Sequence, residues 1–160
     1  MEGKMARSQP LVSVITPVYN NAEYLADCIE SILAQTYQNW DYAIVDNCSE
    51  DGSIDIARRY AAKDSRIRVI QNKEFLPIIC NHNRALRQLS SASKYCKMVF
   101  ADDWIFSECL EQLVEVAEEY PSVGIVGAYG LQGKSTAPDE QNQSPRFSKQ
   151  QHRPLYLHVG

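Results

Sequence analysis

The 160-residue sequence predicts an α/β fold with a mostly parallel, Rossmann-like sheet that carries helices on both faces. Three observations support this class. Short β-rich runs alternate with amphipathic helical patterns from Leu11 to Tyr129. The β-rich runs are largely apolar along their whole length, as expected of parallel strands covered on both faces. Polar or acidic residues follow the runs where they end, which is where parallel α/β sheets bind ligands.

The predicted elements alternate regularly along the chain. Five runs predict strands at residues 11–16, 40–45, 67–70, 95–100 and 123–129. We expect Pro17 to stop the first strand, because proline cannot donate to a strand ladder. Helical patterns lie between the strands, with the second helix at residues 54–62 and the third at 79–89.

The first and fourth helices have recognisable start signals. Asn20 predicts the N-cap of the first helix, and Glu23 completes a capping box. Ser107 predicts the cap of the fourth helix, which Pro121 ends. Each helix has one apolar face, formed by Leu25, Cys28, Ile29 and Ile32 in the first and by Leu110, Leu113, Val114 and Ala117 in the fourth.

Composition excludes several classes of protein. A net charge of −4 gives no basic field to attract nucleic acid or anionic lipid. No segment approaches the roughly 20 continuous apolar residues of a membrane span, and residues 1–10 lack the apolar core of a secretion signal. The five cysteines are scattered and form no CxxC pair, which favours reduced thiols over disulfides or a zinc site. We therefore expect a cytoplasmic protein.

Polar and acidic side chains are predicted to meet at one edge of the sheet, because the carboxyl ends of parallel strands lie side by side. In chain order these residues are Thr16, Pro17, Tyr19, Asn20, Asp46, Asn72, Asp102 and Asp103. Capping or turn formation is the simpler interpretation of Asn20 and of Asn72 taken singly, and a turn is an alternative for Asp46. The clustering of the whole set favours a binding site.

The pair Asp102–Asp103 follows the fourth predicted strand directly. Two adjacent carboxylates repel each other unless a cation lies between them, and hard oxygen ligands suit Mg²⁺ or Mn²⁺. Such an ion can hold a diphosphate and take up the charge of a phosphate leaving group. The alternative is that the pair only opens the next helix, near its positive end.

The remaining groups suit a nucleotide. An ionised Asp46 only accepts hydrogen bonds, as a base N–H or a ribose hydroxyl requires. Tyr19 can place its ring against a base, and backbone groups around Pro17 can hold the base edge and ribose. Neither a GxGxxG motif after the first strand nor a GxxxxGK[ST] motif is present, which disfavours an unrelated dinucleotide or phosphate binder.

Five segments resemble the family 2 glycosyltransferases. They are residues 14–25 (VITPVYNNAEYL) with 28–37 (CIESILAQTY), residues 44–53 (IVDNCSEDGS), and residues 81–86 (NHNRAL) followed by 101–104 (ADDW). The resemblance covers about residues 12–128, in the family's order and spacing. It implies a nucleotide-binding fold of the GT-A type and a nucleotide-diphosphate sugar donor, with uridine as the family-weighted base. It also implies a Mg²⁺ or Mn²⁺ ion held by Asp102 and Asp103.

Further site residues follow from the resemblance position by position. Thr16, Pro17 and Tyr19 match the family's nucleobase and ribose contacts, and Asp46 matches its base-recognising aspartate. Asn83 falls where the family has a recurrent helix asparagine near the donor.

The chain departs from the family pattern in three places. Asn47 and Cys48 replace the usual Asp and Gly, a change expected to affect the turn more than the contact. Phe100 replaces a further acid of many members, so the metal must rely on the aspartate pair, phosphate oxygens and water. The general base of inverting members has no counterpart except Asp139 and Glu140, for which a solvated loop is the favoured interpretation.

We therefore expect three parts: a flexible N-terminus at residues 1–10, a donor-binding domain at 11–130, and a polar tail or partial acceptor segment at 131–160. Residues 155–159 either add a short edge strand or are simply the end of the chain. The sheet is expected to be incomplete at its C-terminal side, as in a truncated donor-binding half.

The functional expectation is a metal-dependent, inverting transfer of a sugar from a UDP-sugar to a hydroxyl of a glycan, lipid or protein. The alternative is a catalytically silent remnant that still binds the nucleotide sugar. A homo-oligomer is also expected to be possible, because a shortened sheet leaves surface that needs cover.

Overall fold

The computed structural model describes residues 9–129 and 154–159, which form six strands and four helices. The strands are β1 (Val12–Val18), β2 (Trp40–Asp46), β3 (Ile67–Gln71), β4 (Tyr95–Met98), β5 (Ile125–Tyr129) and β6 (Pro154–Val159). The helices are α1 (Ala22–Leu33), α2 (Ser53–Ala61), α3 (Ile78–Leu86) and α4 (Cys109–Glu119). Strands and helices alternate as far as β5, as the sequence pattern predicts.

The six strands form one sheet in the order β3-β2-β1-β4-β6-β5. Strand β1 pairs in parallel with β2 and with β4, and β2 pairs in parallel with β3. Strand β6 runs antiparallel to both β4 and β5. The mostly parallel sheet confirms the predicted fold class.

Successive residues of a strand point to opposite faces of the sheet. Because the strands are apolar on both faces, helices cover both. Val14 belongs to one apolar cluster with Leu25 of α1 and Leu110 of α4. Ile15, its neighbour in β1, packs instead against Ala85 of α3. Each fully buried Leu or Ile stabilises the fold by about 1.5–3 kcal/mol relative to an exposed one. The two clusters keep the central strands rigid beneath the sheet edge where they end.

The prediction that Pro17 stops the first strand is wrong, because β1 continues through it to Val18. The pairing of β1 with β4 ends at Ile15–Met98, two residues before Pro17. On the other side β1 keeps pairing with β2 as far as Val18. Pro17 has no N–H to donate, but its pairing with β2 is maintained. On the other edge of β1, Pro17 lies where β4 separates from β1.

The predicted capping box of the first helix is also wrong. Helix α1 begins at Ala22, its N-cap is Asn21, and no side chain of the cap bonds to the helix amides. Asn20 lies outside the helix with a φ of 48°, and Glu23 lies in the first turn.

The amides at the start of α1 are satisfied instead by the loop before α2 and by the first residue of α2. The Asn21 N–H donates to Ser53 Oγ at 2.9 Å, and the Ala22 N–H donates to Asp51 Oδ2 at 2.8 Å. These partners are about 30 residues away along the chain, so a local capping pattern does not reveal them.

The prediction that Ser107 caps the fourth helix is wrong, and Ser107 has a different role. Helix α4 begins at Cys109, its N-cap is Glu108, and neither Ser107 nor Glu108 provides a side-chain cap. The Ser107 carbonyl accepts a hydrogen bond from the Thr36 N–H at 2.8 Å, which joins the start of α4 to the loop after α1. The apolar faces predicted for α1 and α4 are confirmed, since all eight residues are buried.

Other boundaries differ from prediction by one to three residues. Helix α3 ends at Leu86, and the following residues form a turn with short-range bonds such as Gln88 N–H to the Ala85 carbonyl at 2.9 Å. Strand β4 ends at Met98, and β5 begins at Ile125.

Strand β6 is an interior strand and not the edge strand that the sequence suggested. Tyr95 of β4 pairs with Val159, and Val126 of β5 pairs with Leu157. Residues 1–8, 130–153 and 160 lie outside the described part of the chain, and so do the loop acids Asp139 and Glu140.

The five cysteines are free thiols, as predicted. Burial raises the pKa of Cys28 to about 11, so this thiol stays protonated at neutral pH. Within residues 9–129 and 154–159, we find no helix with the length and apolar character needed to cross a membrane.

Candidate functional site

A crevice between β1 and β4 is the natural binding position of this sheet. Strand β2 lies next to one edge of β1, whereas β4 lies next to the other edge of β1. Ligands bind at such switch points, outside the carboxyl ends of the strands. Beyond the Val99 N–H to Ile15 carbonyl bond at 3.0 Å, Pro17 cannot continue the ladder. The carboxyl ends of β1 and β4 are therefore free to separate.

The aspartate pair lies on a tight turn at this crevice. The Asp103 N–H donates to the Phe100 carbonyl at 3.0 Å, and both Asp102 and Asp103 are exposed. The Phe100 carbonyl also accepts from Cys28 Sγ of α1 at 3.4 Å. Neither carboxylate is buried in the apolar interior, which agrees with the predicted position at the mouth of the site.

Electrostatic effects show what lies close to the pair. The pKa of Cys28 is raised chiefly by burial and further by the charges of Asp103 and Asp102. The pKa of Tyr24 is raised first by its hydrogen bond with Glu23, with a smaller contribution from Asp102. Both carboxylates therefore lie near α1.

Asp46 ends β2 and is 1% exposed. Its carboxylate oxygens accept one backbone N–H, that of Ser49, at 3.4 and 3.2 Å. A carboxylate offers about four lone-pair sites, so this single donor leaves acceptor capacity for a ligand. Asp46 pairs in register with Val18, one residue before Tyr19. The two residues therefore share the carboxyl edge of the sheet, as predicted.

The loop after β1 exposes Tyr19 and fixes Asn20. Tyr19 is 48% exposed, and its ring contacts that of Phe75. The Asn20 N–H donates to Ser49 Oγ at 3.0 Å, and Asn20 Oδ1 accepts from the Glu50 N–H at 2.9 Å. Asn20 thus connects two loops of the site, whereas Tyr19 presents an accessible ring.

Thr16 and Pro17 have buried side chains. Thr16 is 0% exposed, and its hydroxyl accepts a hydrogen bond from Tyr42 Oη at 2.8 Å. Pro17 is buried as well. A contact of either residue with a nucleotide is therefore expected from the backbone.

A buried amide cluster surrounds Asn72. Its Nδ2 donates to Asn47 Oδ1 at 2.8 Å and to Asn81 Oδ1 at 2.9 Å, while its own Oδ1 has no hydrogen-bond partner in the described structure. Asn83, two residues after Asn81 in α3, is exposed. The structure thus gives Asn72 a role in holding β2, β3 and α3 together.

Sequence reasoning missed three residues at this edge. Asn47 and Asn81 complete the amide cluster, and Phe75 contacts Tyr19. The available signal for Phe75 was an aromatic residue in the short polar loop between β3 and α3. No local pattern distinguishes the two asparagines from ordinary turn residues.

Cys48 has a φ of 62°, in the left-handed region that favours glycine. We expect Cys48→Gly to raise the free energy of unfolding by about 0.5–1 kcal/mol, because the relieved strain exceeds the added chain entropy. Urea unfolding measures the change, and Cys48→Ala, which keeps the strain, should show no gain. A less stable glycine variant would contradict the expectation.

The two exposed carboxylates fit a divalent ion that is shared with a ligand. Within the described residues, no group of three or more His, Cys, Asp or Glu side chains could hold a metal ion. Mg²⁺ commonly binds one or two carboxylates and completes its octahedron with substrate phosphates and water. Asp102 and Asp103 would supply such a partial ligand set.

Comparisons with known proteins identify the family of this chain. The model of the family described as "Glycosyl transferase family 2" matches residues 13–159. A putative teichuronic acid biosynthesis glycosyltransferase of Bacillus subtilis is 34% identical over 134 residues, which cover 84% of this chain and 52% of that protein. The putative glycosyltransferase EpsE of Bacillus subtilis is 36% identical over 139 residues, 82% of this chain and 49% of that protein.

Solved structures show the same fold. The crystal structure of residues 1–349 of S. aureus TarS in complex with UDP has a TM-score of 0.63 and 26% identity, covering 71% of this chain and 33% of that one. A mannosyltransferase from Pyrobaculum calidifontis, in complex with GDP-Man and Mn²⁺, has a TM-score of 0.67 and 26% identity, covering 76% of this chain and 36% of that one.

The fold is that of the GT-A glycosyltransferases. Within that class the chain belongs to glycosyl transferase family 2. It spans about half the length of the first curated relatives that it matches.

Proposed function

We propose that this chain binds the donor in a metal-dependent glycosyltransferase, which moves a sugar from a UDP-sugar to an acceptor hydroxyl with inversion. The observation that carries the proposal is the exposed Asp102–Asp103 turn at the β1/β4 crevice. Asp46, with spare acceptor capacity, lies on the same sheet edge. The UDP complex of one structural relative and the GDP-Man and Mn²⁺ complex of another support this proposal.

Each of these residues binds a different part of the donor. Asp46 accepts a hydrogen bond from the base or ribose, Tyr19 stacks on the base, and the exposed Asn83 faces the donor from α3. Asp102 and Asp103 would hold a Mg²⁺ or Mn²⁺ ion, which supplies positive charge for the diphosphate as it leaves. The side chains of Thr16 and Pro17 keep the loop after β1 in place, so that backbone groups can bind the nucleoside.

Donor binding without transfer is the second candidate function. In the described chain after α4, residues 120–129 and 154–159, there is no Asp or Glu. An inverting transfer needs a base to deprotonate the acceptor hydroxyl. Under the first candidate this base, and the surface for a glycan, lipid or protein acceptor, come from elsewhere in the protein or from a second copy of it. The free thiols also lead us to propose a cytoplasmic location.

Calorimetric titration of the chain with UDP tests the proposal. We expect binding with Mn²⁺ or Mg²⁺ present and little or none after chelation. Equal binding in both conditions would contradict metal dependence, and no binding in either would reject the donor site. Release of sugar from a UDP-sugar, or its transfer to an acceptor, separates the transferase from the silent binder.

A further inference from the structure

Two half-exposed aromatic rings meet at the carboxyl edge of the sheet. The ring centroids of Tyr19 and Phe75 lie 4.8 Å apart, and the ring planes are tilted by 60°. Tyr19 is 48% exposed and Phe75 is 55% exposed. Large apolar rings in water are normally buried, so a pair that remains exposed beside a binding edge points to a ligand that covers it.

The two rings meet across the end of β2. Tyr19 follows β1, and Phe75 lies in the loop after β3, while β2 lies between these strands in the sheet. The end of β2 is Asp46, whose carboxylate is almost inaccessible although it retains acceptor capacity. A ligand that approaches Asp46 over the end of β2 therefore meets the rings.

The backbone beside Phe75 is held firmly, whereas its ring is not. The Leu76 N–H donates to Asn47 Oδ1 at 2.9 Å, and Asn47 Nδ2 donates to the Leu76 carbonyl at 2.8 Å. The Asn72 N–H donates to the Asp46 carbonyl at 2.8 Å. Exposed side chains change rotamer on the picosecond to nanosecond scale, so the Phe75 ring can turn away while its loop stays in place.

We propose that Phe75 is a nucleobase-binding residue and that the base enters between the rings of Tyr19 and Phe75. The inference rests on the proposed function, because it concerns the base of the same donor. Stacking at about 3.5 Å on each face requires the two rings to separate to about 7 Å and to become parallel. A base enclosed in this way directs its hydrogen-bonding edge toward Asp46.

The aromatic rings and Asp46 contribute differently to binding of the base: the rings give affinity, and Asp46 gives selectivity. Stacking on an aromatic ring tolerates any base, since every base has a π face. The buried Asp46 carboxylate accepts hydrogen bonds only, so it favours a base edge that carries an N–H donor. Phe75 thus contributes affinity for the base, and it contributes nothing to the binding of the diphosphate.

Two probes separate these contributions. UDP and inorganic pyrophosphate are titrated separately into the chain in the presence of Mn²⁺, for the wild type, Phe75→Ala and Phe75→Tyr. We expect Phe75→Ala to weaken UDP binding by roughly 10-fold and to leave pyrophosphate binding unchanged. Phe75→Tyr keeps the ring and should retain the affinity of the wild type for UDP.

Tyr120→Ala is the matched control, because Tyr120 is 52% exposed and lies after α4, away from this edge. This control should bind both probes normally. Unchanged or tighter UDP binding by Phe75→Ala would overturn the inference alone, since the ring would then be only a cover. Equal weakening of UDP and pyrophosphate would overturn it too. A wild-type chain that binds no UDP would reject the proposed function and this inference together.

Discussion

The double variant Asp102→Asn/Asp103→Asn should lose metal-dependent UDP binding, with an affinity more than about 100-fold weaker than that of the wild type. Asparagine keeps the size of aspartate but removes its charge, and no group of three or more His, Cys, Asp or Glu side chains in the described chain could hold the ion instead. The two neutral side chains can no longer offset the charge of a divalent ion. Calorimetry with UDP and saturating Mn²⁺ measures the loss.

The control for this experiment is Asp55→Asn on α2. The Asp55 side chain is 77% exposed and lies 3.8 Å from Arg58, away from the β1/β4 crevice. It makes the same chemical change without touching the site, so it should bind UDP as the wild type does. A double variant that retains full metal-dependent binding would remove the aspartate pair from the mechanism.

Replacing Lys97 by methionine should stabilise the fold by about 1–3 kcal/mol at neutral pH. Lys97 lies in β4, is 0% exposed, and its Nζ has no hydrogen-bond partner in the described structure. A buried ammonium without a partner loses its hydration and gains nothing in return. Methionine fills nearly the same volume without the charge. Urea unfolding of Lys97→Met against the wild type gives the difference.

The advantage of Lys97→Met should depend on pH. Burial lowers the pKa of Lys97, with smaller opposing effects from Cys109, Asp103 and Cys96. Between that lowered pKa and the value of about 10.4 for an unfolded lysine, the unfolded chain binds more protons. The penalty on the wild type is therefore complete below the folded pKa and shrinks as the pH rises toward 10.4.

Lys63→Met is the matched control, because Lys63 is exposed at the end of α2. We expect it to change stability little at any pH. If Lys97→Met proves less stable than the wild type, the ammonium has a favourable partner in solution. A stability gain that does not vary with pH would show that packing, and not charge, is responsible.

The fold class could be predicted because the signal is repeated along the chain. Strands and helices alternate from β1 to β5, and each strand is largely apolar. The meeting of Tyr19, Asp46 and the aspartate pair at one edge also follows from this alternation, because the carboxyl ends of parallel strands lie side by side.

Features that depend on distant partners could not be predicted. The start of α1 is satisfied by Asp51 and Ser53, which local capping rules do not reach. The insertion of β6 between β4 and β5 depends on long-range antiparallel pairing. The interior position of the Thr16 hydroxyl follows only once the register of β1 with β2 is known.

The departure at Asn47 and Cys48 illustrates the same limit. The sequence suggested that these residues change the turn more than the nucleotide contact. In the structure Asn47 holds the loop of Leu76 through both ends of its amide. Cys48 adopts the left-handed backbone that a glycine would adopt without strain. Neither consequence is visible before the loop after β3 is placed beside β2.

A crystal structure of this chain grown with UDP and Mn²⁺ tests the central claim most directly. Anomalous scattering locates the ion independently of the protein model. We predict a manganese peak about 2 Å from a carboxylate oxygen of Asp102 or Asp103 and from a diphosphate oxygen, with the base next to Asp46. A manganese ion bound elsewhere, or a diphosphate bound at this edge without an ion, would contradict the account.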